Sequence, residues 1–319
     1  MAAIETLEII SPGIMTSVQD LGRYGYGRFG VAPSGALDSF SLRIANLLVG
    51  NREDQACLET MLLGPGITVL TDTVIAVTGG NLQPRRNKQP IDMWCSHFFK
   101  KDDVLSFGNA VSGFRAYIAV AGGIGVPRVM GSRSTNLSSG FGGHQGRTLR
   151  KKDLLVCEEP RGQINDGRRI FNPDWIPNYS NEWKLRVVWG PQDDDFPEDS
   201  RHTFLSGTYT MSQDSDRTGI RLAGPEILCK PDIEASIISE GVIAGCIQIP
   251  GDGKPIIILG ETVSGGYRKI ATVISADLPS LGQIKPGDGI QFGAVSLGEA
   301  YLVLQEMEDR INDFKRKIN

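Results

Sequence analysis

The chain is broken into short apolar pieces. Ile67 to Leu70, Val74 to Val77, Tyr117 to Val120, Leu185 to Trp189, Val242 to Ile249 and Ile256 to Leu259 stand between clusters of Gly, Pro, Asn and Asp. Runs of this length closed by turn residues are expected to be β-strands. No regular helical pattern separates them, which argues against a parallel sheet built from β–α–β units. With 39 Gly and 17 Pro in 319 residues, breakers are frequent throughout, and a barrel or sandwich is the expected architecture.

Two helices stand out against this background. Asp38 is a good N-cap, Leu37 and Leu42 are placed as a hydrophobic staple, and Phe40, Ile44, Leu47 and Leu48 recur at helical spacing before Gly50 ends the helix. Its opposite stripe is Ser39, Arg43 and Asn46. A second helix is expected from about Ser296 to the C-terminus, with Ala300, Val303, Leu304, Met307, Ile311 and Phe314 on one face. That face would pack on the body of the protein or hold a partner chain.

Lys and Arg total 33 against 37 Asp and Glu, a net charge of −4. Bulk charge therefore excludes a strongly basic nucleic-acid binder. The start, MAAIETLEII, places Glu5 and Glu8 where a secretory leader would be basic, and no apolar stretch is long enough to span a bilayer. A cytoplasmic protein without a membrane partner is expected. Five widely spaced cysteines, never as C-x-x-C, fit reduced core thiols.

One unit recurs. KKDDVLSFG (100–108), RKKDLLV (150–156) and IKPGDGIQF (284–292) share a basic, turn-forming start, an Asp and then an apolar strand. Repeated turn-and-strand units suggest related modules in the two halves of the chain. The segment 161–181, rich in Asn, Asp, Gly and Pro, is expected to link a domain over 1–160 to another over 182–319.

Familiar catalytic and nucleotide motifs are weak or missing. GYGRFG (Gly25 to Gly30) lacks the preceding strand and following helix that let such a loop hold a pyrophosphate, and there is no P-loop. His97, His144 and His202 are isolated in sequence, so no metal site is expected. A G-x-S-x-G elbow is also missing. Five polar clusters set in glycine remain. Val18 to Asn51 carries Arg23, Ser34 and Asp38, of which Asp38 could be a plain cap and Ser34 a turn residue. GSRST (Gly131 to Thr135) sets Arg133 beside Ser132 and Ser134, suited to a carboxylate or phosphate. WGPQDDDF (Trp189 to Phe196) carries Gln192. SDRTGIRL (Ser215 to Leu222) sets Asp216 beside Arg217, either a self-satisfied pair or a base held ionised beside a cation. Ser239 to Pro279 brings Glu240, Gln248 and the Ser264-Gly265-Gly266-Tyr267 turn to predicted strand ends, where bare backbone N–H groups could approach a carbonyl or anion. Five such loops suggest a cleft.

These segments resemble the allophanate hydrolase subunit 2 family, also described as biotin-dependent carboxyltransferase-like. The likeness is carried by VQDLGRYG, GVAPSGALD, ANLLVGN, AYIAVAGGIGVPRVMGSRST, GPQDDDF, SDRTGIRL, ISEGV, IQIPGDGKPI, SGGYRKIATVISADLP and KPGDGIQF, in consistent order from about residue 10 to 293. It implies two cyclophilin-like β-barrel domains and a partner chain of the family's subunit 1, or B, type, the active cleft being built from both. For the branch that includes the C subunit of 5-oxoprolinase it implies ATP-dependent opening of 5-oxoproline to glutamate through a phosphorylated lactam, with Mg-ATP bound together with the B-type partner and hydrolysis completed by an A-type chain. Two alternatives come with the resemblance: carboxyl transfer from biotin to urea or a related amide, with the biotin site on another chain or domain, and antagonism of a kinase inhibitor. In the enzyme readings Asp216, Arg217 and Asp38 are the candidate catalytic groups. Arg23, Ser34, Arg133, Ser134, Gln192, Ser215, Glu240, Gln248, Gly265, Gly266 and Tyr267 are the candidate contacts to a small anionic substrate. One stretch departs from the family pattern. Gly260 to Ser264 replaces an Asp-Arg-Gln-Thr-Thr-like run, so that Glu261 stands where a cation is usual and the ligand of that loop is expected to differ.

Overall fold

The structure, a computed structural model, describes residues 3–158 and 167–318. It is mainly β, with few helices and a long helix at the C-terminus. Residues cluster into two compact units, one of Met1–Arg23, Ser34–Tyr179 and Arg310–Asn319, the other of Tyr24–Pro33 and Ser180–Asp309. Residues 161–166 of the expected linker lie outside the described residues.

The first unit holds two antiparallel sheets. Its strands are β1 (Ala3–Ser11), β2 (Met15–Gln19), β3 (Cys57–Met61), β4 (Gly66–Val69), β5 (Thr73–Asn81), β6 (Arg85–Arg86), β7 (Gln89–Pro90), β8 (Ser96–Phe99), β9 (Val104–Ser106), β10 (Ser112–Val120) and β11 (Leu154–Glu158). The sheet orders are β11-β1-β4-β9-β6-β7 and β2-β3-β10-β5-β8. Leu7, Ile67 and Leu105 of one sheet and Leu58, Val77 and Ile118 of the other are fully or almost fully buried in one core, the largest favourable term available to the fold. Helix α1 (Ser39–Leu48) lies on β5 and β10. Those strands are therefore covered on both faces and read as continuous apolar runs in place of an alternation. The α1 boundaries follow the cap signals, with Asp38 at the N-cap and Gly50 in the left-handed region at φ 80°. Asn46, expected on the polar stripe, is instead buried; its amide donates to the Gln55 carbonyl at 2.8 Å and ties down the chain leaving the helix.

The second unit closes on itself. Its strands are β12 (Glu182–Trp189), β13 (Tyr209–Met211), β14 (Gly219–Ala223), β15 (Ser236–Gly241), β16 (Cys246–Ile249), β17 (Ile256–Ile258), β18 (Ser264–Val273) and β19 (Gly289–Ala294), with helices α2 (Glu198–Ser206) and α3 (Leu278–Leu281) and the first turns of α4 (Leu297–Ile318), whose residues from Arg310 on belong to the first unit. Neighbours run β12-β19-β13-β14-β17-β16-β18, and β18 pairs again with β12, so no edge is left in that ring. Only β12–β19 is parallel. Trp183, Leu185 and Val187 of β12 alternate inward, as do Ile290 and Phe292 of β19. Strand β15 hangs from the start of β18 outside the ring. The run Val242 to Ile249 is strand only from Cys246. Gly245, at φ 89°, turns the chain where a Cβ would stand 2.8 Å from Leu278. On α4, Ile311 and Phe314 are the buried members of the expected face. Among the described residues no helix is long and apolar enough to cross a membrane.

Candidate functional site

In the first unit the predicted residues fall into two polar networks. Asp20, which sequence reasoning passed over, is the hub of one. Its Oδ1 accepts from Gly22 N–H at 2.8 Å, Ser132 Oγ at 2.6 Å and Ser134 Oγ at 2.5 Å, and its Oδ2 accepts from Arg133 N–H at 2.5 Å. Arg23 is buried beside it, donating to Ser34 Oγ at 3.0 Å and to the Ser134 carbonyl, with its guanidinium 4.7 Å from the Phe141 ring centroid. Ser34 has φ 56°, a left-handed conformation a turn requires. The Arg133 guanidinium, expected on a substrate anion, lies on protein acceptors: Val126 O at 2.9 Å, Gln55 Oε1 at 3.1 Å and the Glu158 carboxylate.

Asp38 belongs to the second network. Its carboxylate accepts from Ser41 N–H at 2.9 Å and Ser41 Oγ at 2.6 Å, which is the cap of α1. Its own N–H donates to Tyr117 Oη at 2.8 Å, and Tyr117 donates to Glu59 Oε2 at 2.7 Å. Burial first, then the Glu59 and Asp38 charges, push the Tyr117 hydroxyl up, so it stays a protonated donor. The hydrogen bonds named in both networks all run to protein groups and fix the loops.

His97, isolated in sequence, meets Cys95 Sγ at 3.2 Å, with Arg168 Nη2 also 3.2 Å from that sulfur. Burial pushes the thiol up and holds the imidazole down, so both stay neutral and the pair is not an activated nucleophile. A groove of about 510 Å³ in this unit is lined by Val126, Phe141, Leu154 and the Gly140–Gly146 turn, and none of the predicted site residues lines it. Among the described residues no three His, Cys, Asp or Glu come together to hold a metal.

In the second unit, Arg217 and Glu261 form a buried ion pair, Nε to Oε1 at 2.7 Å. The acidic substitution in the family loop is thus balanced by a cation from the neighbouring SDRTGIRL segment. Asp216 Oδ1 accepts from Thr218 N–H at 2.7 Å and Gly219 N–H at 3.2 Å, and Ser215 Oγ accepts from Arg221 N–H at 3.0 Å; both shape the turn before β14.

The remaining predicted residues converge on a residue the sequence did not single out, Lys269. Glu240 on β15 is the register partner of Gly265 on β18, and Gln248 on β16 is the partner of Lys269 on the same strand. The Lys269 ammonium, on a side chain only 4% exposed, contacts Glu240 Oε1, whose side chain is 45% exposed. The Gln192 amide bridges them, its Nε2 donating to the same Oε1 at 2.9 Å while its Oε1 accepts Lys269 N–H at 3.0 Å. The ammonium and then the Gln192 amide hold the Glu240 carboxyl below its usual range. Gln248 is 3% exposed, and a Cβ at Gly265 would fall 2.0 Å from its Nε2. Both Gln248 Nε2 and Lys269 Nζ are buried without a hydrogen bond of good geometry, each costing on the order of 1–3 kcal/mol if left so. Gly266 and the half-exposed Tyr267 continue β18 beside them. This is a set of donors without enough acceptors, the arrangement a carbonyl or carboxylate oxygen completes. Lys269 was hidden because Arg268-Lys269 reads as a solvated end of a strand. It is buried opposite the register shift between Ile247 and Gln248, a feature for which no short-range signal exists.

Comparison with known proteins gives the family of the chain. Residues 29–294 match the family described as carboxyltransferase domain, subdomain A and B. The chain is 35% identical to the C subunit of Escherichia coli K12 5-oxoprolinase over 303 residues, 95% of each chain. It is 37% identical to urea amidolyase of Saccharomyces cerevisiae over 95% of its own length but only 17% of that protein. Its structure superposes on Kluyveromyces lactis urea amidolyase with a TM-score of 0.91 at 34% identity, covering 98% of this chain and 20% of that one. Since the matched residues span both compact units and contain every member of the Lys269 cluster, the chain belongs to the carboxyltransferase domain family, subdomains A and B.

Proposed function

We propose that the chain acts as the C component of an ATP-dependent 5-oxoprolinase, opening the cyclic amide of 5-oxoproline to glutamate with a B-type and an A-type chain. The observation that carries this reading is the match to the C subunit of Escherichia coli 5-oxoprolinase over 95% of both chains. Lactam opening adds water across the C–N bond, and a stable amide resists this unless its carbonyl oxygen is first made a leaving group. ATP supplies the phosphoryl group for that activation. The donor set around Lys269, one ammonium and two amides beside a single carboxylate, fits a carbonyl or carboxylate oxygen. It does not fit Mg, which takes an octahedron of oxygens. The nucleotide and its metal are therefore placed outside this cluster, with the partner, and the cluster is assigned to the substrate. Lys269 and Gln248 would hold the substrate's carboxylate and so set its amide for activation, Gln192 would position Lys269, and Gly265 would keep the approach open.

A second reading, carboxyl transfer from biotin to urea, is favoured by the superposition on urea amidolyase. Reconstitution separates the two. Glutamate formed from ATP and 5-oxoproline by the three chains supports the first, and carboxylation of urea by carboxybiotin supports the second. Under the first reading Lys269→Met lowers kcat/KM about tenfold or more, the loss expected of one buried charge-assisted contact to the substrate. Asp216→Asn, in an exposed turn, changes it less than about threefold. Full activity in Lys269→Met, or without this chain, would sink the assignment.

A further inference from the structure

The contact between Glu240 and Lys269 joins a nearly buried ammonium to a carboxylate on an exposed strand. Glu240 sits on β15, whose residues are nearly all exposed, Ile238 at 94%, and which is paired only to the first residues of β18. From this strand it presents one oxygen, Oε1, to both Lys269 Nζ and Gln192 Nε2. Gln248 Nε2, across the ladder from Lys269, finds no acceptor. A carboxylate tied to β15 thus satisfies part of the donor set and leaves one buried amide orphaned. A free carboxylate, not bound by that tether, has a second oxygen to give it.

We infer that Lys269, Gln192 and Gln248 form a receptor for the carboxylate of a small substrate, and that Glu240 occupies it as a displaceable internal competitor. Gly265 is part of the device, since any side chain there would drive the Gln248 amide away. Displacement swaps one carboxylate for another on the ammonium and adds one hydrogen bond. The cost falls on β15, the element with least to lose, because its side chains are already in water. Only the identity of the substrate rests on the function proposed above.

The test is isothermal titration of the full chain with 5-oxoproline, with 2-pyrrolidinone, which is the same ring without the carboxylate, and with acetate. 5-Oxoproline should bind at least about tenfold tighter than 2-pyrrolidinone, the discrimination expected of one charge-assisted contact. Glu240→Gln, which removes the competitor on an exposed strand, should tighten carboxylate binding about fivefold or more. Lys269→Met and Gln248→Leu should weaken it by about tenfold, with circular dichroism confirming that each is folded. If 2-pyrrolidinone binds as well as 5-oxoproline, if Glu240→Gln weakens binding as Lys269→Met does, or if no carboxylate binds, the receptor is wrong. Acetate binding that needs Lys269, with no binding of 5-oxoproline, would uphold the receptor and overturn the substrate. 5-Oxoproline binding indifferent to all three substitutions would do the reverse.

Discussion

At Lys100–Asp103, Arg150–Asp153 and Lys285–Asp288 the backbone makes one turn three times. In each, the Asp N–H donates to the carbonyl three residues earlier, at 3.1, 3.1 and 3.0 Å. Its carboxylate accepts the N–H of that residue, at 2.7, 2.7 and 3.2 Å. The residue just before it is left-handed, with φ of 70° at Asp102, 73° at Lys152 and 92° at Gly287. Only the third turn uses the residue that adopts this φ without strain. A Cβ at Gly287 would meet nothing within 4 Å, so Gly287→Ala isolates backbone strain and should cost about 1–2 kcal/mol in urea unfolding. Lys152→Gly should be neutral or mildly stabilising; a loss as large as that of Gly287→Ala would refute the account. The charge on these aspartates matters separately. The Arg147 side chain takes Asp153 from an ordinary 3.8 down to about 2. A carboxyl depressed on folding stabilises fully above its unfolded pKa and loses that contribution as pH falls through the folded value. The wild-type chain should therefore lose roughly 2 kcal/mol between about pH 4 and pH 2 on this account alone. Asp153→Asn keeps a turn acceptor but should forfeit that amount at pH 7 and show a flatter profile across the window.

Elements were legible where punctuation and periodicity agreed. Helix α1 has a cap that bonds its own first turn and a glycine past its end, both local chemistry, and its limits could be read residue by residue. The same signals join Val242 to Ile249 into one strand, because Gly245 weighs little against the apolar residues around it, whereas the strand begins at Cys246. On α4 the periodic stripe was right, but periodicity says which face is apolar and not how much of it finds a partner. Ala300, Val303, Leu304 and Met307 are half-buried and only Ile311 and Phe314 fully so; the Phe171 ring lies edge-on to Phe314 at 5.1 Å between centroids, while Lys315 reaches Glu53 at 2.7 Å. Phe314→Ala should therefore cost about 3 kcal/mol in a chemical melt followed by tryptophan fluorescence, since Trp94 and Trp175 also pack on Phe171. Leu302→Ala, on a residue 61% exposed, should change stability by less than about 0.5 kcal/mol. Equal losses at the two positions would mean that the burial assigned to the helix is wrong.

For the molecule as a whole, fold class followed from strand length and breaker frequency, whereas the candidate site was only half legible. Charged residues advertised themselves as ligand grips, yet Arg133 and Arg217 spend their charge on Glu158 and Glu261, 25 and 44 positions away. Pairing over such separations is decided by topology. Lys269 shows the converse, a cation that one dimension places in water and the ladder buries. Thiols give a whole-molecule check on which groups the fold hides. Cys57, Cys95, Cys157 and Cys246 are buried and Cys229 is half-buried, all of them unpaired. Burial pushes Cys157 up to about 12 and Cys57 further still, so neither supplies thiolate near neutral pH even where a reagent could reach it. An aromatic disulfide reagent at pH 8 should accordingly titrate Cys229 alone within minutes in the native chain, and all five thiols once guanidinium unfolds it. Cys246 lies on β16, two residues from Gln248, and Cys57, Cys95 and Cys157 lie in the other unit. The order in which thiols appear with rising denaturant therefore reports each unit separately. Early labelling of Cys246 in Lys269→Met, with the other three still protected, would show that the Lys269 cluster also holds its strands together. Labelling of two or more thiols in the native wild type would contradict the burial on which this picture depends.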